Sequence, residues 1–166
     1  DVELLKIEPG ADRKMHGDAV AVAIDNLHAT TQTRVFAVVA TGGTTNLGII
    51  DDLASVAEAT HTRNIWFHVD GAYGGGGLFA PSVRPLYDGI EHADSFIVDP
   101  HKWLFAPFDS CALLYRDPPV ARAAHTQHAE YLDVLHAADA VDEPWNASDY
   151  AHHLSRRARG LPLWFS

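Results

Sequence analysis

Ile65-Trp66-Phe67-His68-Val69-Asp70-Gly71-Ala72-Tyr73-Gly74-Gly75-Gly76-Gly77 joins an apolar run to a carboxylate and then to a row of glycines. Residues 65–69 have the length and the β-branched and aromatic content of a buried strand. Aspartate is a poor strand former, so Asp70 marks the strand's end. It reads either as a turn initiator or as a carboxylate held against a cationic group. Gly71 and Ala72 would let a flat ring lie close to the backbone. The glycine run lacks the strand–GxGxxG–helix setting of a dinucleotide site.

Outward from this stretch, residues 35–40 form a near-continuous apolar run, the pattern of a strand buried on both faces of a parallel sheet. Residues 95–98 and 111–115 read as further strands, and residues 2–7 as a short one. Residues 18–28 and 51–61 carry apolar side chains at helical spacing, with Asp51 and Asp52 in a first turn that favours acids. Residues 83–90 suit a short helix. Strands and helices in alternation imply an α/β fold, a mostly parallel sheet with flanking helices. Ligands of such sheets bind beyond the carboxyl ends of the strands. The polar residues gather there: Thr44 and Thr45, Asp70, and the segment from Asp99 to Lys102.

Hydrophobic residues make up 47% and charged residues 20%, a profile that excludes disorder. The formal net charge of -10 disfavours nucleic acid as a partner. No apolar run approaches the ~20 residues that span a bilayer, so no membrane partner is expected. The single cysteine, Cys111, permits no internal disulfide and points to a reducing, cytoplasmic compartment. Its place in an expected strand makes it a small buried hydrophobe. No metal site is expected: there is no HExxH, and the pairs His125/His128 and His152/His153 lack carboxylate or Cys partners at ligand spacing. The missing initiator Met and the abrupt end at Ser166 suggest a segment of a longer chain.

Lys102 stands in Val98-Asp99-Pro100-His101-Lys102-Trp103-Leu104-Phe105. A lysine just after a buried strand, between a His and three apolar side chains, is expected to be partly desolvated. Desolvation disfavours the ammonium and frees the amine to attack a carbonyl, as Schiff-base lysines do. Ala40-Thr41-Gly42-Gly43-Thr44-Thr45-Asn46-Leu47-Gly48 is a strand-end loop of hydroxyls and glycines, suited to contacting a polar cofactor through backbone amides. It lacks the G-x-x-x-x-G-K-[ST] pattern of a nucleotide loop.

The run His68-Val69-Asp70-Gly71-Ala72-Tyr73-Gly74-Gly75, with the lysine of Asp-Pro-His-Lys-Trp 32 positions after Asp70, resembles the group II amino-acid decarboxylases, which are fold-type-I pyridoxal-phosphate enzymes. The Thr-Thr loop, the stretch 89–95 and Ser155-Arg156-Arg157-Ala158-Arg159-Gly160-Leu161 are similar to the family in order and spacing. The resemblance implies that residues 1–116 are the central part of the cofactor-binding large domain. Residues 117–150 would form a catalytic-loop region, and 151–166 the start of a following helix, truncated.

The resemblance also implies α-decarboxylation of an L-amino acid by a homodimer. Lys102 would carry pyridoxal 5'-phosphate as a Schiff base, Asp70 would pair with the pyridine nitrogen, and Ala72 would lie under the ring. His101 and Thr45 would line the cofactor, with His101 also catalytic. Tyr131, on a mobile loop, would return a proton to the carbanion. Family members commonly carry Asn where this chain has Asp99, which is expected to point away and hydrogen-bond elsewhere. The alternatives are an aldehyde synthase of the same family, which tends to have Phe in place of Tyr131, and a non-catalytic truncated fragment.

Overall fold

The computed structural model describes residues 2–31, 33–126, 147–151, 153 and 155–166. The chain divides into two compact units, Asp1–Arg116 with Arg159–Ser166, and Asp117–Ala158. In the first unit, helices α1 (Gly17–Thr30) and α2 (Leu53–His61) alternate with strands β1 (Ala37–Thr41), β2 (Trp66–Asp70), β3 (Ser95–Val98) and β4 (Ala112–Tyr115). The sheet order is β1-β2-β3-β4. The first two pairings are parallel and β3–β4 is antiparallel, so this is the mostly parallel α/β arrangement that the alternating pattern predicts. Two registers matter for function, Thr41↔Asp70 and Asp70↔Ile97. They bring the carboxyl ends of the three parallel strands level.

The core lies on one face of the sheet. Ala40, Phe67 and Val69 are fully buried there with Val20 and Ile24 of α1 and Leu53 and Val56 of α2. Along α1, Val20 and Ile24 are one turn apart, so a single stripe meets α2. The two helices touch closely at their N-termini. A Cβ on Gly17 would come within 2.0 Å of the Ser55 carbonyl, and the Gly17 N–H donates to Ser55 Oγ. Asp52 caps α2 by accepting from the Ser55 N–H at 3.2 Å. Asp51 lies outside the helix. Its two oxygens accept from Met15 N and Thr41 N, both at 2.7 Å, tying the end of β1 to the entrance of α1.

Several sequence expectations need correction. Residues 2–7 form no strand, and Leu4 is 92% exposed; among the described residues no neighbouring strand pairs with them. The run 35–40 is not buried on both faces: within β1 Ala40 is buried and Val39, on the opposite face, is exposed, and Phe36, just before the strand, is exposed as well. Residues 83–90 are not one helix but two 3₁₀ turns, Arg84–Tyr87 and Ile90–His92, divided at Gly89 with φ 100°. Cys111 is exposed at the start of β4 rather than buried.

The second unit contains helix α3 (Pro118–His125) and a 3₁₀ turn, Ala147–Tyr150. Arg122 Nε meets the buried carboxylate of Asp149 at 3.3 Å. A short helix α4, Gly160–Trp164, ends the first unit. Among the described residues no helix is long and apolar enough to cross a membrane.

A histidine held by two carboxylates gives this fold a pH-dependent element. His16 Nε2 lies 3.0 Å from both oxygens of Asp12, and its Nδ1 lies 3.3 Å from Asp52. Only the imidazolium can donate from both nitrogens. Asp12, then Asp52, accordingly raise the His16 pKa above its ordinary 6.5. Asp12 is lowered in return, chiefly by its bond to His16. Desolvation pushes Asp52 up, but hydrogen bonds from Ser55 and His16 outweigh it and leave it lowered. A raised imidazole contributes stability that is complete below its unfolded value and lost as pH rises through its folded one. His16→Gln is therefore expected to lower the thermal midpoint of the full-length protein at about pH 5.5 and far less at about pH 8.5. The same offset at both pH values would show that the charge contributes nothing.

Candidate active site

Asp70 ends β2 because the strand passes there from ladder to loop. Its carbonyl accepts the Gly42 N–H at 2.7 Å, and its exposed carboxylate accepts the Ala72 N–H at 3.0 Å. The loop after β1 and the loop after β2 press together. Gly43, at φ 109°, has no room for a Cβ, which would meet Gly74 Cα at 2.7 Å. Thr45 is exposed in a turn just beyond, closed by Gly48 N–H to Thr44 C=O at 2.8 Å. Ala72 is half-buried.

Behind Asp70 on the same face of β2 is a polar relay. Trp66 Nε1 donates to Ser95 Oγ at 2.9 Å, and Ser95 Oγ lies 2.7 Å from His68 Nδ1. Trp66 can only donate, so Ser95 Oγ accepts from it and keeps a lone pair and a proton with which to meet His68 Nδ1. Desolvation lowers the His68 pKa against the opposing pull of Asp70, which favours the neutral ring at neutral pH. The sequence around His68 carries no local sign of this relay. The signal is the register His68↔Ser95, which spans a crossover and has no local trace in sequence.

Lys102 lies in the turn that follows β3. Its N–H donates to Asp99 C=O at 2.9 Å, and Asp99 N–H donates to Ala72 C=O at 3.2 Å, joining the lysine turn to the Asp70 loop. A second link is aromatic: Tyr73 and Trp103 meet edge to face with centroids 5.2 Å apart. His101 turns back on its own loop. Its Nδ1 meets the N–H of Ser110 at 3.1 Å and also the Ser110 C=O, and its ring stands edge-on to Phe108 at 5.0 Å. Arg159 Nε donates to Asp109 at 2.9 Å, holding that loop from the C-terminal segment.

The surroundings of Lys102 differ from expectation. Phe105 is 88% and Trp103 45% exposed, so the apolar neighbours do not enclose the amine. Lys102 Nζ instead lies 2.7 Å from Asp99 Oδ2. Cys111 is a further polar neighbour of the Asp99 carboxylate. Desolvation alone would raise Asp99, but Lys102 and Cys111 outweigh it and lower its pKa. Partial desolvation, with Asp99 beside it, pushes the Cys111 thiol up to about 11, which makes it a poor nucleophile at neutral pH. Tyr131 lies outside the described residues. The structure thus brings Asp70, Ala72, His101 and Lys102 onto linked loops, with Thr45 on the loop after β1.

The pyridoxal-dependent decarboxylase conserved domain matches residues 1–166. An aromatic-L-amino-acid decarboxylase of Manduca sexta is 35% identical over 99% of this chain and 31% of its own length. An L-2,4-diaminobutyrate decarboxylase of Rhizobium meliloti is 39% identical over 96% of this chain and 31% of its own. The crystal structure of Oryza sativa TDC with PLP and tryptamine superposes with a TM-score of 0.83 at 30% identity, over 95% or more of this chain (96%) and 32% of that one. The chain belongs to the pyridoxal-dependent decarboxylase family, and it spans about a third of the length of these relatives. The donor set fits the family's cofactor chemically: beyond the ends of neighbouring strands stand a primary amine, Lys102, which would suit its aldehyde, and a carboxylate, Asp70, which would suit its ring nitrogen.

Proposed function

We propose that the full-length protein carrying this segment catalyses α-decarboxylation of an L-amino acid, with Lys102 as the covalent anchor for pyridoxal phosphate. The observation that carries the proposal is the link between the two chemical groups. The loop that begins at the Asp70 carboxylate and the turn that holds the Lys102 amine are joined through Ala72 C=O and Asp99 N–H. When bound, pyridoxal phosphate supplies an electron sink for the pair left behind as carbon dioxide departs. The chain's own residues set the conditions for that chemistry. Asp70 is an anion fixed at a strand end, suited to keeping a proton on a ring nitrogen. Ala72, small and half-buried, leaves a flat ring space against the backbone. The neutral His68 behind Asp70 adds no competing positive charge. Thr45 and His101 complete the wall on this reading.

Tyr131 is the proposed proton donor to the substrate carbon, on the strength of the family resemblance. Homodimerisation rests on the same resemblance, and a cytoplasmic location on the single cysteine and acidic composition. The relatives include enzymes named for aromatic substrates and for diaminobutyrate, so the substrate class proposed is the L-α-amino acids as a whole. The test is to supply the full-length protein with pyridoxal phosphate and a panel of L-amino acids, measuring carbon dioxide and amine. Amine with carbon dioxide in equal amounts is expected. Aldehyde, ammonia and peroxide in place of amine would convert the reading to the aldehyde synthase. Tyr131→Phe is expected to cut amine formation by about 10²-fold or more, the scale of losing a general acid. An unchanged rate would remove Tyr131 from the mechanism.

A further inference from the structure

Asp99 is the carboxylate that the lysine turn places against the Lys102 amine. Its side chain is 13% exposed, against 35% for Lys102. The backbone of Asp99 is fixed on both sides: its N–H is bound to Ala72 C=O, and its C=O receives the Lys102 N–H. Cys111 directly precedes β4, which is itself fixed on β3 by the register Val98↔Ala112. The Lys102 side chain, with four rotatable bonds, is the mobile partner, and its Nζ comes to 2.7 Å from Asp99 Oδ2. A carboxylate mostly withdrawn from water requires a cation or donors beside it, because its own hydration has been given up.

We propose that Asp99 is a positioning residue that clamps the Lys102 amine in the cofactor-free protein, so that the ion pair has to open before the amine can react. The proposal rests on the reading of Lys102 as the anchoring lysine. Imine formation needs a nitrogen lone pair. The nitrogen attacks the aldehyde carbon, the carbonyl oxygen leaves as water, and an ammonium must first surrender a proton to solvent. An ammonium bound to Asp99 has neither the lone pair nor the freedom to swing. Asparagine at this position would hydrogen-bond the amine without holding a charge against it. On this account Asp99 makes cofactor loading slower than it would be with Asn at this position.

The test uses the full-length protein stripped of cofactor, with two probes. The first is trace acylation by acetic anhydride across pH, followed by quantifying the peptide that contains Lys102. The second is pyridoxal phosphate with borohydride, followed by the same peptide analysis. Asp99→Asn is expected to speed acylation of Lys102 near neutral pH by roughly fivefold or more, because the amine is released from its partner. Asp99→Glu, which restores a carboxylate, is expected to return the profile towards wild type and so separates the charge from any disturbance of folding. Identical acylation profiles for wild type and Asp99→Asn, with Lys102 still trapped by pyridoxal phosphate, would overturn the clamp alone. Absence of the pyridoxyl label from Lys102 in both proteins would overturn the anchoring reading and the clamp with it.

Discussion

Lys102→Ala in the full-length protein is expected to abolish the borohydride-stable pyridoxyl label on the peptide containing residue 102. Decarboxylation is expected to fall by roughly 10⁴-fold or more, the scale seen when a covalent catalyst is removed from a site that works as a unit. The prediction follows from position rather than from a pKa. Lys102 stands in a turn whose backbone is bonded to the Asp70 loop, so its amine is delivered to one place beyond the strand ends. Truncation to Ala leaves those backbone bonds intact but leaves the Asp99 carboxylate without its cation. The protein is therefore expected to keep a cooperative thermal transition at a lowered midpoint while losing the label. A label that persists elsewhere, with activity retained, would move the anchor to another lysine and dissolve the proposed site.

The second large effect is expected at Asp70. Asp70→Asn keeps an oxygen to accept the Ala72 N–H, the contact now made at 3.0 Å, so the loop conformation should survive. What disappears is the negative charge. Two unit charges about 4 Å apart at an effective dielectric near 20 interact by about 4 kcal/mol, equivalent to about 10³-fold in rate. A loss of that order in turnover is expected, together with weaker cofactor retention on dialysis. A variant that turns over within about threefold of wild type would mean that Asp70 does not face the ring nitrogen.

Much of this architecture was legible in the chain because burial and strand ends leave local marks. Residues 95–98 were read as a strand and form one, since a short apolar run bounded by Asp94 and Asp99 has little alternative. Asp70 and Lys102 were singled out because each sits where an apolar run stops. The failures share a different cause. Residues 2–7 have strand-like apolar content, but a strand exists only when a neighbour accepts its hydrogen bonds, and that depends on the rest of the fold. The one-sided burial of β1 was hidden for the same reason, because burial of a face depends on what covers it. The Trp66–Ser95–His68 relay depends on register across a crossover. The Asp99–Lys102 pair is only three residues apart in sequence, yet it was missed because the turn that brings the side chains together is not encoded by any single residue type.

The contact between Gly43 and Gly74 has a consequence for how this site can change. A side chain at either position would drive one loop away from the other, since a Cβ on Gly74 would lie 2.5 Å from Gly43 Cα. The loop after β1 and the loop that starts from Asp70 are thus mutationally bound together, and a change in one requires an answering change in the other. Freedom to diversify is concentrated instead at Asn46 and Leu47, whose side chains are exposed. Substitution there can redraw that outer turn while the inner pair of loops stays as it is.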